Sequence, residues 1–169
     1  MIKYFSVFID ESYLDSNHGP LYHYTTTYQF VEILESNTLK VSQFENPVKG
    51  KKEKVKIVSL TRNKNFDFSY YKPYLDVIIE LDKNKLLKKY KILPYDYFIQ
   101  SGRDDKTKSN PDRKFFEFEE IILTDIIDID KYILSVNFRN NSIFDNPVAK
   151  ILPILKNKNI KIYVDGKEY

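Results

Sequence analysis

A short apolar and aromatic run, Leu21–Thr25, passes directly into a segment with helical periodicity. The run is typical of a β-strand, and either Thr26 or Thr27 can cap the helix that follows. The apolar residues of this helix recur at helical spacing, at Phe30, Ile33 and Leu34. Asn37 is expected to end it. A strand joined to a capped helix predicts a fold of the α+β class.

Further short apolar runs predict that the sheet has several strands. They lie at Tyr4–Ile9, Thr38–Ser42, Val55–Thr61, Asp76–Leu81, Phe115–Leu123, Ile126–Val136 and Ile160–Val164. The chain has no internal repeat and no linker between them, so we expect one domain over residues 1–169.

Two more helices and one loop complete the prediction. A short helical turn is expected over Lys83–Lys89, with Leu86 and Leu87 facing inward. A second helix is expected from Asn146, and Pro153 should interrupt it. Residues 45–54 contain Pro47, Gly50 and several lysines, a composition typical of an exposed loop.

Composition excludes several kinds of site. The chain has no cysteine, which excludes disulfides, iron–sulfur clusters and cysteine-bound zinc, and fits a cytoplasmic protein. His18 and His23 are its only histidines, so a histidine-rich metal site is excluded as well. The net charge of +3 is too small to indicate nucleic acid binding by itself. No apolar run approaches the roughly 18 residues of a membrane span, so no membrane partner is expected.

Three polar stretches stand on three separate predicted strands. They are Tyr22-His23-Tyr24-Thr25, Ser59-Leu60-Thr61-Arg62 and Glu117-Phe118-Glu119-Glu120. Along a strand Glu117 and Glu119 point to one face and Glu120 to the other, which favours the first two as a pair that can reach one cleft. The alternative for these residues is structural: a histidine satisfied in a half-buried sheet, and acids paired with nearby Arg103, Arg113 or Lys114.

The order and spacing of the three stretches resemble the ADP-ribosyltransferase superfamily over residues 20 to 135. The segments Val77–Asp82 and Pro94–Tyr97 are similar to small transferase-like proteins of bacteriophages and bacteria. The resemblance implies a split, twisted, mixed β-sheet with a few short helices, and it implies that NAD binds in the cleft between the two parts of the sheet.

The resemblance also implies a role for each matching residue in binding NAD. His23 would hydrogen-bond the adenosine ribose, with Tyr24 and Thr25 lining the same cleft. Ser59 and Thr61 would support the catalytic glutamate and the nicotinamide ribose. Arg62 would face a phosphate, which suits the forked guanidinium group. The aromatic residues that could stack on nicotinamide are Phe66, Phe68, Tyr70 and Tyr71.

By the same resemblance Glu119 is the catalytic glutamate and Glu117 orients the nucleophile. Cleavage of the nicotinamide–ribose bond passes through an oxocarbenium-like state, which a carboxylate near the ribose stabilises. The implied activity is transfer of ADP-ribose to a protein or nucleic acid, or hydrolysis of NAD, as in a phage or bacterial effector. The irregular stretch from Pro94 to Lys114 is the expected place for acceptor choice.

Two other functions stay open at this level. A catalytically inactive relative of the same fold could act as a binding or inhibitor protein. Asp10 and Glu11, after the first predicted strand, could instead belong to a nuclease that holds Mg²⁺.

Overall fold

The computed structural model describes residues 19–48, 51–64, 75–94, 119–139 and 146–169. Its strands are β1 Leu21–Thr25, β2 Thr38–Leu39, β3 Ser42–Val48, β4 Lys51–Thr61, β5 Val77–Leu81, β6 Leu93–Pro94, β7 Glu119–Ile122, β8 Ile126–Ile127, β9 Ile133–Phe138, β10 Lys161–Val164 and β11 Lys167–Glu168. Its helices are α1 Thr27–Ser36, α2 Lys83–Leu87 and α3 Asn146–Asn157, with a 3₁₀ turn at Ile129–Lys131. The predicted strand at Tyr4–Ile9 lies outside the described residues.

Most strands form one mixed sheet in the order β11-β10-β9-β5-β1-β4-β7-β6, to which β3 is added through β4. Strands β9 and β10 pair in parallel, and the other pairs in this sheet are antiparallel. Helix α3 makes the connection from β9 to β10, because parallel neighbours need a crossover. The separate pair β2 and β8 lies outside this sheet. The mixed sheet with few helices confirms the predicted α+β class with a mixed sheet.

Helix α1 begins and ends where the sequence predicts. The Thr26 side chain accepts a hydrogen bond from the Gln29 N–H, which satisfies one of the unpaired donors at the helix start. Asn37 ends the helix in the left-handed conformation, with φ of 49°. The predicted apolar residues Phe30, Ile33 and Leu34 are all buried.

The main core lies between one face of the sheet and helices α1 and α3. Fully buried strand residues include Leu21, Val77, Ile79, Val136 and Phe138. From the helices, the core receives Phe30, Ile33, Leu34, Val148, Ile151 and Leu155. Phe30 meets Phe138 edge to face, with 5.7 Å between ring centres. The opposite face carries a second small cluster, formed by Tyr22, Tyr24 and Ile78 with Leu75 against it.

The predicted loop over residues 45–54 is wrong. Strands β3 and β4 form a hairpin whose pairs run from Ser42 opposite Ile57 to Val48 opposite Lys51. Two residues, Lys49 and Gly50, separate the strands in the sequence. Pro47 is tolerated because β3 is an edge strand, where a missing backbone donor costs little.

Two details of the helices also differ from the prediction. Helix α3 continues through Pro153 to Asn157, held by buried Ile151 and Leu155 on either side of the proline. Packing of these residues outweighs the hydrogen bond that proline removes. In α2, Leu86 is fully buried as expected, whereas Leu87 is 47% exposed, because successive side chains on a helix point about 100° apart and Leu86 faces the core.

The start of α1 is tied to the strand that lies next to β1. The Asp76 carboxylate accepts from the Thr27 N–H at 2.7 Å and from the Thr27 hydroxyl. Asp76 immediately precedes β5, so this carboxylate joins the sheet to the positive end of the helix.

We expect Asp76→Ala to lower the free energy of unfolding by about 1–2 kcal/mol, because the helix start loses two hydrogen bonds and a favourable charge. Asp76→Asn keeps one acceptor oxygen and should lose less. Urea unfolding followed by circular dichroism measures both variants. Equal stability of wild type and Asp76→Ala would contradict this role.

An ion pair and a hydrogen bond join the ends of α1 and α3 to the 3₁₀ turn. The Lys158 ammonium donates to Asp130, while the Asp130 N–H donates to the Asn37 side chain at 3.1 Å. The hydrogen bond from Lys158 is the main reason that the pKa of Asp130 lies below its usual value. The ionised carboxylate is therefore the form that stabilises the fold.

The contribution of Asp130 to the free energy of unfolding should depend on pH. Since the folded pKa lies below the unfolded value of about 3.9, the stabilisation is complete at neutral pH and is lost as the pH falls through the folded pKa. Asp130→Asn should cost about 0.5–1 kcal/mol at pH 7, as expected for a partly exposed pair, and much less at pH 3. Urea unfolding of both proteins at the two pH values measures this difference, and a constant difference would contradict it.

Candidate functional site

The three strands that carry the polar stretches are neighbours in the sheet. Strand β4 lies between β1 and β7, although the three are far apart in sequence. Tyr22 stands opposite Thr61, and Thr61 stands opposite Glu119, so these three positions form one row across the strands. The next row contains Leu60 opposite Glu120.

Strands β1 and β4 are joined over a very short length. Their register consists of the single pair Tyr22 and Thr61, whereas β1 and β5 pair at five positions from Leu21 to Thr25. Beyond that pair, the Nδ1 atom of His23 lies 3.0 Å from the carbonyl oxygen of Ser59. An imidazole N–H that donates here takes the place of a backbone ladder bond. The sheet is therefore nearly divided into two parts at this point, and His23 bridges them.

Tyr24 and Thr25 hold neighbouring segments in place. The Tyr24 hydroxyl donates to the Lys64 carbonyl at 2.6 Å, which fixes the turn after β4 against β1. The Arg139 guanidinium lies over the Tyr24 ring, 5.7 Å from its centre. Thr25 is 2% exposed, and its hydroxyl donates to Gln29 in the first turn of α1.

The two hydroxyl residues of β4 differ in environment. Thr61 is buried, and its hydroxyl oxygen accepts from the Asn63 N–H at 3.0 Å, which shapes the turn that leads to Arg62 and beyond. Ser59 is half-buried and stands opposite Ile121 of β7. By register Ser59 and Thr61 belong to the same face of the sheet as Tyr22, whereas His23 belongs to the opposite, helix-covered face.

A buried group of three charged side chains lies at the end of β4. Glu120 is 5% exposed, and its Oε1 atom lies 2.9 Å from Lys83 Nζ and 3.0 Å from Arg62 Nε. Lys83 is itself 8% exposed. Burial of this kind requires that the charges compensate each other, since an isolated buried charge is very costly. We refer to Arg62, Lys83 and Glu120 as the buried triad.

The buried triad includes two residues that sequence reasoning missed. The predicted pair was Glu119 with Glu117, and Glu120 was expected on the other face. The side chain of Glu119 lies outside the described residues, as do Glu117 and Tyr70 and the aromatic residues Phe66, Phe68 and Tyr71. The sequence contained a weak indication of Lys83. This lysine comes directly after the capping residue Asp82, which itself follows a strongly apolar strand.

The other face of the sheet carries a separate polar cluster. Tyr22 pairs with Glu80, and Glu80 pairs with Ser135, whose hydroxyl donates to the Glu80 carboxylate. Burial is the main cause that raises the pKa of the Tyr22 hydroxyl, and the negative charge of Glu80 adds to it. Tyr22 therefore stays neutral at physiological pH and serves as a packed residue of this face.

For the residues that it describes, the structure also bears on metal binding and on membrane crossing. Within these residues no group of three or more histidine or acidic side chains is arranged to hold a metal ion. None of the described helices has the length and apolar character needed to cross a membrane.

Comparisons with known proteins give no assignment. Neither a scan against models of protein families nor a search of curated proteins finds a match to this chain.

The bridging role of His23 can be tested by its stability effect. His23→Ala removes the donor to Ser59 and should cost about 1 kcal/mol, the usual net value of such a hydrogen bond. His23→Asn carries an amide nitrogen as many bonds from Cα as Nδ1 and should recover most of the loss. Thermal and urea unfolding measure both, and equal destabilisation by alanine and asparagine would contradict the bridge.

Proposed function

We propose that this protein cleaves NAD and transfers ADP-ribose to a macromolecular acceptor, protein or nucleic acid, or to water. The observation that carries the proposal is the near-division of the sheet between β1 and β4, at which His23 meets the Ser59 carbonyl. A split sheet is what the resemblance to ADP-ribosyltransferases implies. NAD, the substrate, would lie along this junction between β1 and β4.

The strand order supports the proposal independently. The three polar stretches were chosen for their order along the chain, yet β1, β4 and β7 are adjacent in space. Antiparallel sheets allow many other orders for strands this far apart. Their adjacency places an imidazole, two hydroxyls, an arginine and two glutamate positions within two strand spacings, about 10 Å. By register His23 and Glu120 belong to the helix-covered face, and the positions of Ser59, Thr61 and Glu119 belong to the other face.

Glu119 is the residue that we assign to the chemical step. Its backbone lies opposite Thr61 at the junction. As the nicotinamide–ribose bond breaks, positive charge develops on the ribose, and a carboxylate beside it stabilises that charge. Glu117 would orient the attacking acceptor group, and Arg62 would stand near the phosphates.

A second candidate is a non-catalytic binding protein of the same fold. The observation that favours it is that several polar side chains of the junction already serve the protein itself. Tyr24 holds the turn after β4, Thr61 shapes that turn, and Glu120 compensates two buried cations. Such a protein would retain the sheet and release no nicotinamide.

Glu119→Gln should reduce nicotinamide release from NAD by roughly a hundredfold or more, since a neutral amide cannot stabilise the developing charge. Chromatography of nicotinamide, with labelled NAD and cell lysate to detect modified acceptors, measures the reaction. Glu168→Gln, on exposed strand β11 at the far edge of the sheet, is the matched control and should retain full turnover.

Two results would count against these assignments. Full turnover by Glu119→Gln would remove Glu119 as the catalytic residue. A wild-type protein that releases no nicotinamide and shows no thermal shift with NAD would overturn the enzymatic proposal in favour of the binding protein.

A further inference from the structure

The hairpin of β3 and β4 extends beyond the other described strands of the sheet. Strand β7 pairs with β4 only from Val58 to Thr61, and β1 pairs with β4 only at Thr61. The seven pairs that begin with Ser42 opposite Ile57 have, among the described residues, no strand beside β4 other than β3. These pairs form a two-stranded ribbon about 20 Å long. We refer to residues 42–48 and 51–57 as the ribbon.

The ribbon and the turn between its strands account for the net charge of the whole chain. Residues 42–57 contain five lysines and two glutamates, a net charge of +3, which equals the net charge of all 169 residues. The remainder of the chain is therefore neutral in sum. Positive charge that is concentrated in one projecting element favours an anionic partner more strongly than the same charge spread over the surface.

The register separates lysine positions from apolar positions, because alternate residues of a strand belong to opposite faces. Three lysine positions fall on one face and follow each other about 7 Å apart along β4: Lys52, Lys54 and Lys56. Apolar positions fall on the other face: Phe44, Val48, Val55 and Ile57. Glu45, opposite Lys54, reduces the net charge of the first face to +2. We refer to this first face as the lysine face.

The described side chains at the base of the ribbon show which face is open. Lys56 and Gln43 stand opposite each other on the lysine face, and both are exposed. Ile57, the next residue along β4, belongs to the apolar face and is 1% exposed. The lysine face is therefore accessible at its base, where the apolar face is covered.

We propose that the lysine face of the ribbon docks double-stranded DNA, with the three lysines beside its phosphates. The major groove of B-form DNA is about 12 Å wide and admits a two-stranded β-ribbon. The major groove of an RNA duplex is too deep and narrow to take one. Lysines that neutralise phosphates release counterions from the duplex, which supplies affinity without sequence preference.

This surface is separate from the proposed reaction site and goes beyond the proposed function. By register the lysine face continues the side of the sheet to which Val58 belongs, in the helix-covered core, whereas the Glu119 position belongs to the other side. The docking of DNA therefore does not depend on NAD, and it can be measured without NAD.

Fluorescence anisotropy of a labelled DNA duplex of mixed sequence, titrated with the full-length protein at several salt concentrations, tests the docking. Combined Lys52→Gln, Lys54→Gln and Lys56→Gln should weaken binding to all duplex sequences alike. The slope of log K against log salt should become less negative by about 2.7, since each lost phosphate contact contributes about 0.9. Arginine at the same three positions keeps the charge and should bind like wild type.

The matched control removes the same charge elsewhere. Combined Lys150→Gln, Lys161→Gln and Lys167→Gln changes exposed positions on α3, β10 and β11, away from β4 in the strand order. This variant should keep the affinity and the salt slope of wild type. Should the ribbon variant fail to fold by circular dichroism, Lys56→Gln alone, at an exposed position, should still reduce the slope by about 0.9.

Several results would overturn the inference. They are a wild type that does not bind the duplex, a ribbon variant that binds like wild type, and a control variant that loses as much affinity as the ribbon variant. Tighter binding to single-stranded DNA, to duplex RNA or to polyglutamate would assign the surface to another partner. If the duplex binds as expected but the wild type releases no nicotinamide, the docking surface stands and the enzymatic proposal fails.

Discussion

The junction between β1 and β4 is the constraint on which the rest of the structure depends. A sheet normally gains its cohesion from a ladder of backbone hydrogen bonds, yet here two parts of the sheet meet at the single register pair Tyr22 and Thr61. The His23 imidazole adds a contact to the Ser59 carbonyl just beyond that pair. Both parts must therefore be held in position by other means, which the helices and the charged side chains supply.

On the side of β1 the helices provide that support. Helix α1 follows β1 at once, and its start is bound to Asp76 at the beginning of β5. Helices α1 and α3 cover one face of β1, β5, β9 and β10 with a continuous apolar core. Burial of this core is the dominant stabilising term, and it makes this part of the sheet a rigid frame for His23.

On the side of β7 the same apolar core continues through Val58, Leu60 and Ile122, and the buried triad adds to it. Lys83 comes from the strand–helix connection after β5, and Arg62 comes from the end of β4, while Glu120 belongs to β7. The triad thus ties together segments from both parts of the sheet. Apolar side chains of similar size would stabilise such a site as well or better.

Much of the local structure could be predicted from residue patterns. The strand Leu21–Thr25, the Thr26 cap, the left-handed Asn37 and the apolar face of α1 follow from short-range sterics and hydrogen bonding, which act within a few residues. The predictions that were wrong depended on longer-range packing. Residues 45–54 have the composition of a loop but pair as a hairpin, and α3 passes through Pro153 because its neighbours are buried.

The sequence by itself determined the kinds of strand and helix, their caps, and the absence of any thiol chemistry, because these depend on residue type and on near neighbours. Only the tertiary structure decided that β4 lies between β1 and β7, that β1 and β4 barely pair, and that Glu120 meets Lys83 and Arg62. Lys83 and Glu120 are 37 residues apart in the chain, and no local pattern encodes which distant charges will share one desolvated site. That choice follows from strand order and register, which are set when the whole apolar core is buried.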